Sequence, residues 1–357
     1  MNKQIIVVAL LFSALLSCKK KTDINYDFPP KPERKAAIEN ENKLAEIFAE
    51  NAVKGETFTV DAATGGIFNT SKGSSYIIPP NIFVFKDGTP VTGNVDLNIK
   101  EITTPAEMIL ADKPTVTKDG SILQSFGEFK VTASQKAVPV IIDARQKATI
   151  NVNVRNVVRD SIRQSQEIPM WDGDTIVNYV LEGRDFENNE TTLEFQQPFR
   201  KGIDWTANGN TAIASGGMIN FPLSKLGTWA NCDVLIPTVN ATTLITYLTN
   251  VYNDSSTAAN VVFVKVKGIN SLIKIVSPIL NPPAGKAGFI SYQNRFNQGL
   301  EGTAFAIVYK GGKLYTGTKE FTVGTPASGK SFYGVDITLE EVTEDQMLAQ
   351  VAAMNNK

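Results

Sequence analysis

Period-two alternation of apolar and polar side chains is the strongest constraint in this chain. Val95, Leu97 and Ile99 alternate with Asp96, Asn98 and Lys100. Phe129, Val131 and Ala133 alternate with Glu128, Lys130 and Thr132, and Ile150, Val152 and Val154 with Asn151, Asn153 and Arg155. Side chains of a strand point to opposite faces in turn, so each segment reads as a strand with one face in a core. Turn signals separate these segments. Lys86-Asp87-Gly88-Thr89-Pro90 is one, and Asn208-Gly209-Asn210 is another. Short antiparallel strands joined by turns predict β-sandwiches and not a βαβ protein.

The C-terminal half repeats the signal. Met218 to Phe221, Val261 to Val266 and Ile273 to Val276 read as strands. Gly311-Gly312 between Thr303–Lys310 and Lys313–Val323 predicts a hairpin, because glycine supplies positive φ at both turn positions. Val335, Ile337 and Leu339 form a last strand, and Thr343 with Gln346 predicts a capping box for a closing helix to about Met354. Near the start, Leu44, Ile47 and Phe48 share a helical face within residues 35–51.

Composition then excludes chemistry. The 357 residues contain no histidine, which removes Ser-His-Asp and Cys-His catalysis and His-based zinc, copper or iron sites together. With 35 basic and 36 acidic residues there is no global charge to draw nucleic acid, and no nucleic-acid partner is expected. No cofactor is expected either, since no Gly-rich phosphate loop precedes a helix. Cys18 and Cys232 are the only cysteines.

The N-terminus supplies an address. Lys3 precedes an apolar run of about twelve residues, Ile5 to Leu16, interrupted by Ser13. Leu15-Leu16-Ser17-Cys18 ends it, and Lys19, Lys20 and Lys21 follow. A spanning helix needs roughly 20 apolar residues, so the run suits a signal h-region instead. This stretch resembles a bacterial lipoprotein signal peptide. The resemblance implies cleavage after residue 17, lipidation of Cys18 and a partner in the membrane itself. The prolines at 29, 30 and 32 then read as part of a solvated tether. Lysine after the lipidated cysteine points to the outer membrane, with the periplasmic or surface side open.

Gly65-Gly66, Ile77-Ile78-Pro79-Pro80-Asn81-Ile82-Phe83 and Gly88-Thr89-Pro90-Val91-Thr92-Gly93 resemble the β domain shared by zonula occludens proteins, netrin receptors and ankyrins. With Glu101, Met108-Ile109-Leu110 and Phe126-Gly127-Glu128-Phe129, the stretch is also similar to exported lipoproteins of Bacteroidota. Leu226-Gly227-Thr228-Trp229-Ala230-Asn231-Cys232-Asp233 resembles a further segment of those lipoproteins, with Thr228 as an extra residue. The resemblance implies a sandwich over residues 55–155 and a scaffold or protein-interaction role, with no catalytic residue to carry over.

The expected fold class is therefore all-β, in two β-sandwich domains. A scaffold-type sandwich spans 55–157, and a connector of uncertain assignment, with a turn at Trp171-Asp172-Gly173-Asp174, spans 158–215. An immunoglobulin-like sandwich with a short closing helix spans 216–357, and the signal peptide (1–17) and lipidated tether (18–50) precede all three. Catalytic and metal sites are expected to be absent. Asp172-Gly173-Asp174 starts like a calcium loop, but Gly183 stands where the loop wants its final glutamate. Cys232 reads as a buried structural thiol, and Asp96 and Glu101 as solvated acids. Ser161 and Thr175, in Asp-Ser/Thr-aliphatic triplets, are candidate O-glycosylation positions. Trp171, Trp205 and Trp229 are candidates for stacking on sugars. The expected function is a non-catalytic, membrane-anchored interaction or scaffold module with an envelope protein or glycan partner. The alternatives are a glycan-binding lipoprotein, which predicts a row of exposed aromatics, and a carboxylate-dependent hydrolase, which needs two acids about 5–10 Å apart in a cleft.

Overall fold

The computed structural model describes residues 32–153, 166–175, 179–185, 190–197, 202–215, 217–250, 259–275, 277–279 and 282–357. The fold is all-β, and the described residues build two sandwich-like units with three α-helices against them. Among the described residues no helix is long and apolar enough to cross a membrane.

The first unit is one antiparallel sheet of eleven strands folded over on itself. Its path runs from Glu56–Asp61 through Asn94–Ile102, Leu123–Gln135, Trp229–Leu235 and Gln166–Thr175. It continues through Ile203–Ser215, Met218–Leu223, Ala148–Asn153 and Ser75–Ile78 to Gly66–Asn69. Leu123–Gln135 and Met218–Leu223 lie four places apart along this path. In a flat sheet that separation would be about 19 Å at ~4.8 Å per strand. Yet the rings of Phe129 and Phe221 are 5.2 Å apart, so the sheet closes over a core. The alternating residues read from the sequence supply it: Val95, Leu97, Ile99, Phe129, Val131, Ile150 and Val152 are all buried there. Glu101 fastens the fold across the roll, accepting hydrogen bonds from Tyr76 Oη (2.7 Å) and Thr70 Oγ1 (2.8 Å). It is buried, where the sequence predicted a solvated acid.

The second unit is a sandwich of two five-stranded sheets. Ala241–Thr249 is central to one sheet and pairs in parallel with Phe332–Thr338. The other sheet orders Leu272–Ile275, Ala259–Val266, Glu301–Lys310, Lys313–Thr322 and Glu340–Val342. Leu244, Leu248 and Ile337 face Val262, Val264 and Ala306 in its core. The Gly311-Gly312 hairpin forms as expected, with φ of +58° and +81°.

The division of the chain differs from the expected one. The first sheet does not end near residue 157. It takes in Gln166–Thr175 and Ile203–Ser215 from the supposed connector, and also Met218–Leu223 and Trp229–Leu235, which had been placed in the second sandwich, while Tyr179–Asp185 and Glu190–Gln197 pair as a separate two-stranded sheet. Trp171 to Asp174 lie inside the strand Gln166–Thr175 and are not a turn. Asn208-Gly209-Asn210 likewise forms a bulge within Ile203–Ser215, since Pro169 pairs with Thr211 and Trp171 with Ala207. Gly209 carries the required positive φ of +79°. Alternation identifies a strand and its inward face but not its partner, and pairing across long sequence separations is decided by packing.

A shared third core joins the units. Helix α1 (Pro32–Asn51) contributes Leu44, Ile47 and Phe48, the face expected from the sequence. Helix α2 (Pro105–Ala111) contributes Met108 and Ile109. Helix α3 (Glu344–Ala353), started by the Thr343/Gln346 capping box, contributes Met347 and Val351. The first sheet adds Trp171, Trp205 and Trp229 from its outer face, and the second sandwich adds Val261, Phe263, Phe305 and Ile307. Strand Ala259–Val266 is therefore buried on both faces, odd positions toward the junction and even positions toward the sandwich core. Phe263→Ala is expected to cost about 3–5 kcal/mol, the usual range for a large buried aromatic. Calorimetry should show one lowered transition for the whole body. Two transitions, with the first unit unmoved, would mean the junction does not couple them.

Candidate functional site

Cys18, Ser161 and Asp160 fall outside the described residues. Thr175 ends the strand Gln166–Thr175, its backbone paired with Ile203. Asp172 is bound to Lys225 (2.8 Å) and accepts from Asn208 Nδ2 (2.8 Å), so its oxygens serve the strand surface. Among the described residues no group of three or more acids or cysteines is placed to hold a metal ion. Cys232 is buried on the core face, and burial, with the nearby Asp233, pushes its thiol well above the usual range. A thiol held protonated is a poor nucleophile.

The three tryptophans are not a stacking platform. All are buried at the junction. Trp171 Nε1 donates to the Asp233 carbonyl (3.0 Å) and Trp205 Nε1 to the Pro114 carbonyl (2.9 Å). The Trp229 ring lies 5.7 Å from Lys113 Nζ and 5.9 Å from Lys130 Nζ, within cation–π range.

Beneath them sits an acid cluster that the sequence reading did not single out. Glu128 and Asp233 have no solvent exposure. They lie on neighbouring strands around a register shift, with Asn231 opposite Glu128 and Asp233 opposite Ser125. Gly127, at φ +130°, takes up the irregularity. Asn231 bridges the cluster, accepting from Ser125 Oγ (3.2 Å) and donating to Asp233. Neither carboxylate oxygen of Glu128 has a hydrogen-bond partner among the described residues. Burial pushes Glu128 well above the ordinary carboxylate range, and the Asp233 charge adds to it, against a smaller opposing pull from Lys113. Burial also raises Asp233, against hydrogen bonds from Ser125 and Asn231. Glu128 stands on the polar side of the Phe129, Val131 and Ala133 alternation, so nothing local marked it for burial.

The accessible feature is a cleft of about 720 Å³ where the two units meet. The first unit supplies Lys72, Ser74 and Asn153. The segment entering α2 supplies Thr103 and Thr104, and the second sandwich supplies Lys265, Lys267, Gly268 and Asn270. Asn355, Asn356 and Lys357 close one side. A neighbouring cleft of about 710 Å³ shares Lys267, Asn356 and Lys357. Asn270 fixes the wall, donating to the Thr103 carbonyl (3.2 Å) and the Ser125 carbonyl (3.1 Å) of the first unit. Lys72 Nζ holds Glu107 (2.5 Å) and the Glu101 carbonyl (2.7 Å), and Lys267 holds Glu301 (2.6 Å). Lys265 Nζ donates to the carbonyls of Val266 (2.5 Å) and Ile269 (2.6 Å) and to the main-chain oxygen of Lys357 (3.2 Å). Burial lowers its ammonium to about 8.

No protein-family model and no curated protein matches the chain.

The acid cluster makes a signed prediction. With a folded-state pKa above the unfolded value near 4.5 for Glu128, the native state keeps a proton that the unfolded chain releases. Stability should therefore fall as pH rises from the ordinary carboxylate range upward. Glu128→Gln keeps that position neutral, so it should raise the urea midpoint at pH 8 and change it little at pH 4. A loss at pH 8 that is absent at pH 4 would show that Glu128 is stabilising as a carboxylate.

Proposed function

We propose that this chain is a membrane-anchored envelope lipoprotein whose two β units act as a non-catalytic interaction module. The observation that carries this reading is a contrast in access. Glu128 and Asp233, which burial raises well above the ordinary carboxylate range, are sealed in the junction, while an open polar cleft lies where the units meet. A hydrolase of the two-carboxylate type needs its acids in reach of substrate and water. The scaffold role also draws on the resemblance of residues 55–155 to the β domain of zonula occludens proteins, netrin receptors and ankyrins. The anchor draws on Leu15-Leu16-Ser17-Cys18, and two or more acyl chains on one residue would hold a body of this size stably at a membrane.

A second reading, glycan capture, is favoured by one observation. The cleft is walled by side-chain amides and hydroxyls, groups that exchange hydrogen bonds with sugar hydroxyls.

Fractionation of producing cells tests the anchor. The wild-type chain should partition with membranes and Cys18→Ala should be released to the soluble fraction; release of both would remove the lipid anchor. Crosslinking on the same cells tests the module. One recurrent envelope-protein adduct to wild type, weakened in Cys18→Ala, is the expected outcome. Turnover of polysaccharide or peptide substrates by the purified chain would overturn the non-catalytic reading.

A further inference from the structure

We propose that the cleft between the two units binds an acidic saccharide of one or two rings, its carboxylate set among the lysines and its hydroxyls against the amide and hydroxyl walls. This rests on the glycan-capture reading and goes further by naming the charge of the ligand.

The first support is charge placement. Four lysines line the cleft, at positions 72, 265, 267 and 357, and among the described residues no aspartate or glutamate does. Glu107 and Glu301 pair with Lys72 and Lys267 from outside the lining, and Glu320 pairs with Lys357. Lys265 differs, because its ammonium donates to the carbonyls of Val266 and Ile269 and to the main-chain oxygen of Lys357, a carboxylate oxygen of the last residue, and to no acidic side chain. Among the described residues of its lining the cleft thus presents four ammonium groups, with the glutamates that pair three of them set outside that lining. A bound carboxylate would meet these lysines from the open side, and charge-assisted hydrogen bonds are the strong ones. Burial has already drawn the Lys265 ammonium down to about 8, so a nearby anion would recover part of that desolvation cost.

The second support is the rest of the lining. Ser74, Thr103, Thr104, Asn355 and Asn356 offer hydroxyls and amides that donate and accept. Val152, Pro105 and Ile269 give apolar patches for the C–H faces of a ring. A bare inorganic anion would use the lysines and leave these walls idle. The volume of about 720 Å³ lies within the roughly 300–1,000 Å³ of ordinary ligand pockets and exceeds what a simple ion fills. The third support is rigidity. Asn270 and the Ala106 amide, which donates to Asn355 Oδ1 at 2.9 Å, tie the walls together across the junction. A preorganised cleft loses less entropy on binding.

The test is calorimetric titration of the full chain in detergent micelles with three probes: digalacturonic acid, neutral galactobiose and inorganic phosphate. Digalacturonic acid should bind, and Lys267→Glu should weaken it by about tenfold or more, as expected for loss and reversal of a charge-assisted contact. Lys72→Gln should weaken it less, and Lys313→Glu, a charge change outside the cleft lining, should leave it unchanged. Unaltered melting midpoints would show that the variants fold. Equal binding of galactobiose, insensitive to Lys267→Glu, would overturn the acidic ligand and leave glycan capture standing. Binding of phosphate as tight as that of digalacturonic acid would overturn the saccharide. Binding of none of the three would overturn both.

Discussion

Everything in this molecule hangs on the double burial of the strand Ala259–Val266. One face closes the second sandwich through Val262 and Val264, and the other closes the junction through Val261 and Phe263. A strand used in this way cannot be exposed on either side without opening two cores. The three tryptophans of the first sheet and one face of each helix are packed on the same plane, so two β units that could have been beads on a string become one body. Aromatic side chains suit the task because each carries roughly 150–250 Å² of surface and, in tryptophan, one N–H that needs a partner. Trp171 and Trp205 find theirs in backbone carbonyls.

That joint also explains where polar chemistry sits. Strands crossing from core to junction bring some charged positions with them, and Glu128 and Asp233 end up with no solvent on either side. Buried carboxyls without full hydrogen bonding destabilise the native state unless they hold a proton. Asn231, Ser125 and the Lys113 charge relieve part of that cost, and burial holds the remainder of the pair toward its neutral form. At the rim, the same docking leaves a gap between the Lys72 turn and the Lys267–Gly268 loop. The cleft exists only because the units are packed together, and neither contains it alone.

Much of the fold is legible in the residues. The strands at Asn94–Ile102, Leu123–Gln135 and Ala148–Asn153 follow from alternation, the 311–312 hairpin from glycine, and α3 from its capping box. The errors have one cause. Trp171-Asp172-Gly173-Asp174 and Asn208-Gly209-Asn210 carry turn residues, but the first is plain strand and the second a bulge, because neighbouring strands hold both in the ladder. The cleft was far less legible. Lys72, Lys265 and Lys267 are spread over nearly two hundred residues, and nothing local marks them as neighbours. Lys265 left a trace as a lone charge within Val261-Val262-Phe263-Val264-Lys265-Val266.

By itself the sequence determined that this is a β protein without histidine chemistry, with alternating faces that must find a core and a basic and apolar N-terminal stretch ending at Cys18. These are local properties: backbone periodicity, turn stereochemistry and side-chain inventory act over a few residues. Only the tertiary structure decided that Gln166–Thr175, Ile203–Ser215, Met218–Leu223 and Trp229–Leu235 complete the first sheet, that the tryptophans are interior, and that lysines from both units face one cleft. Those outcomes depend on which apolar faces meet across hundreds of residues, and that is settled by packing.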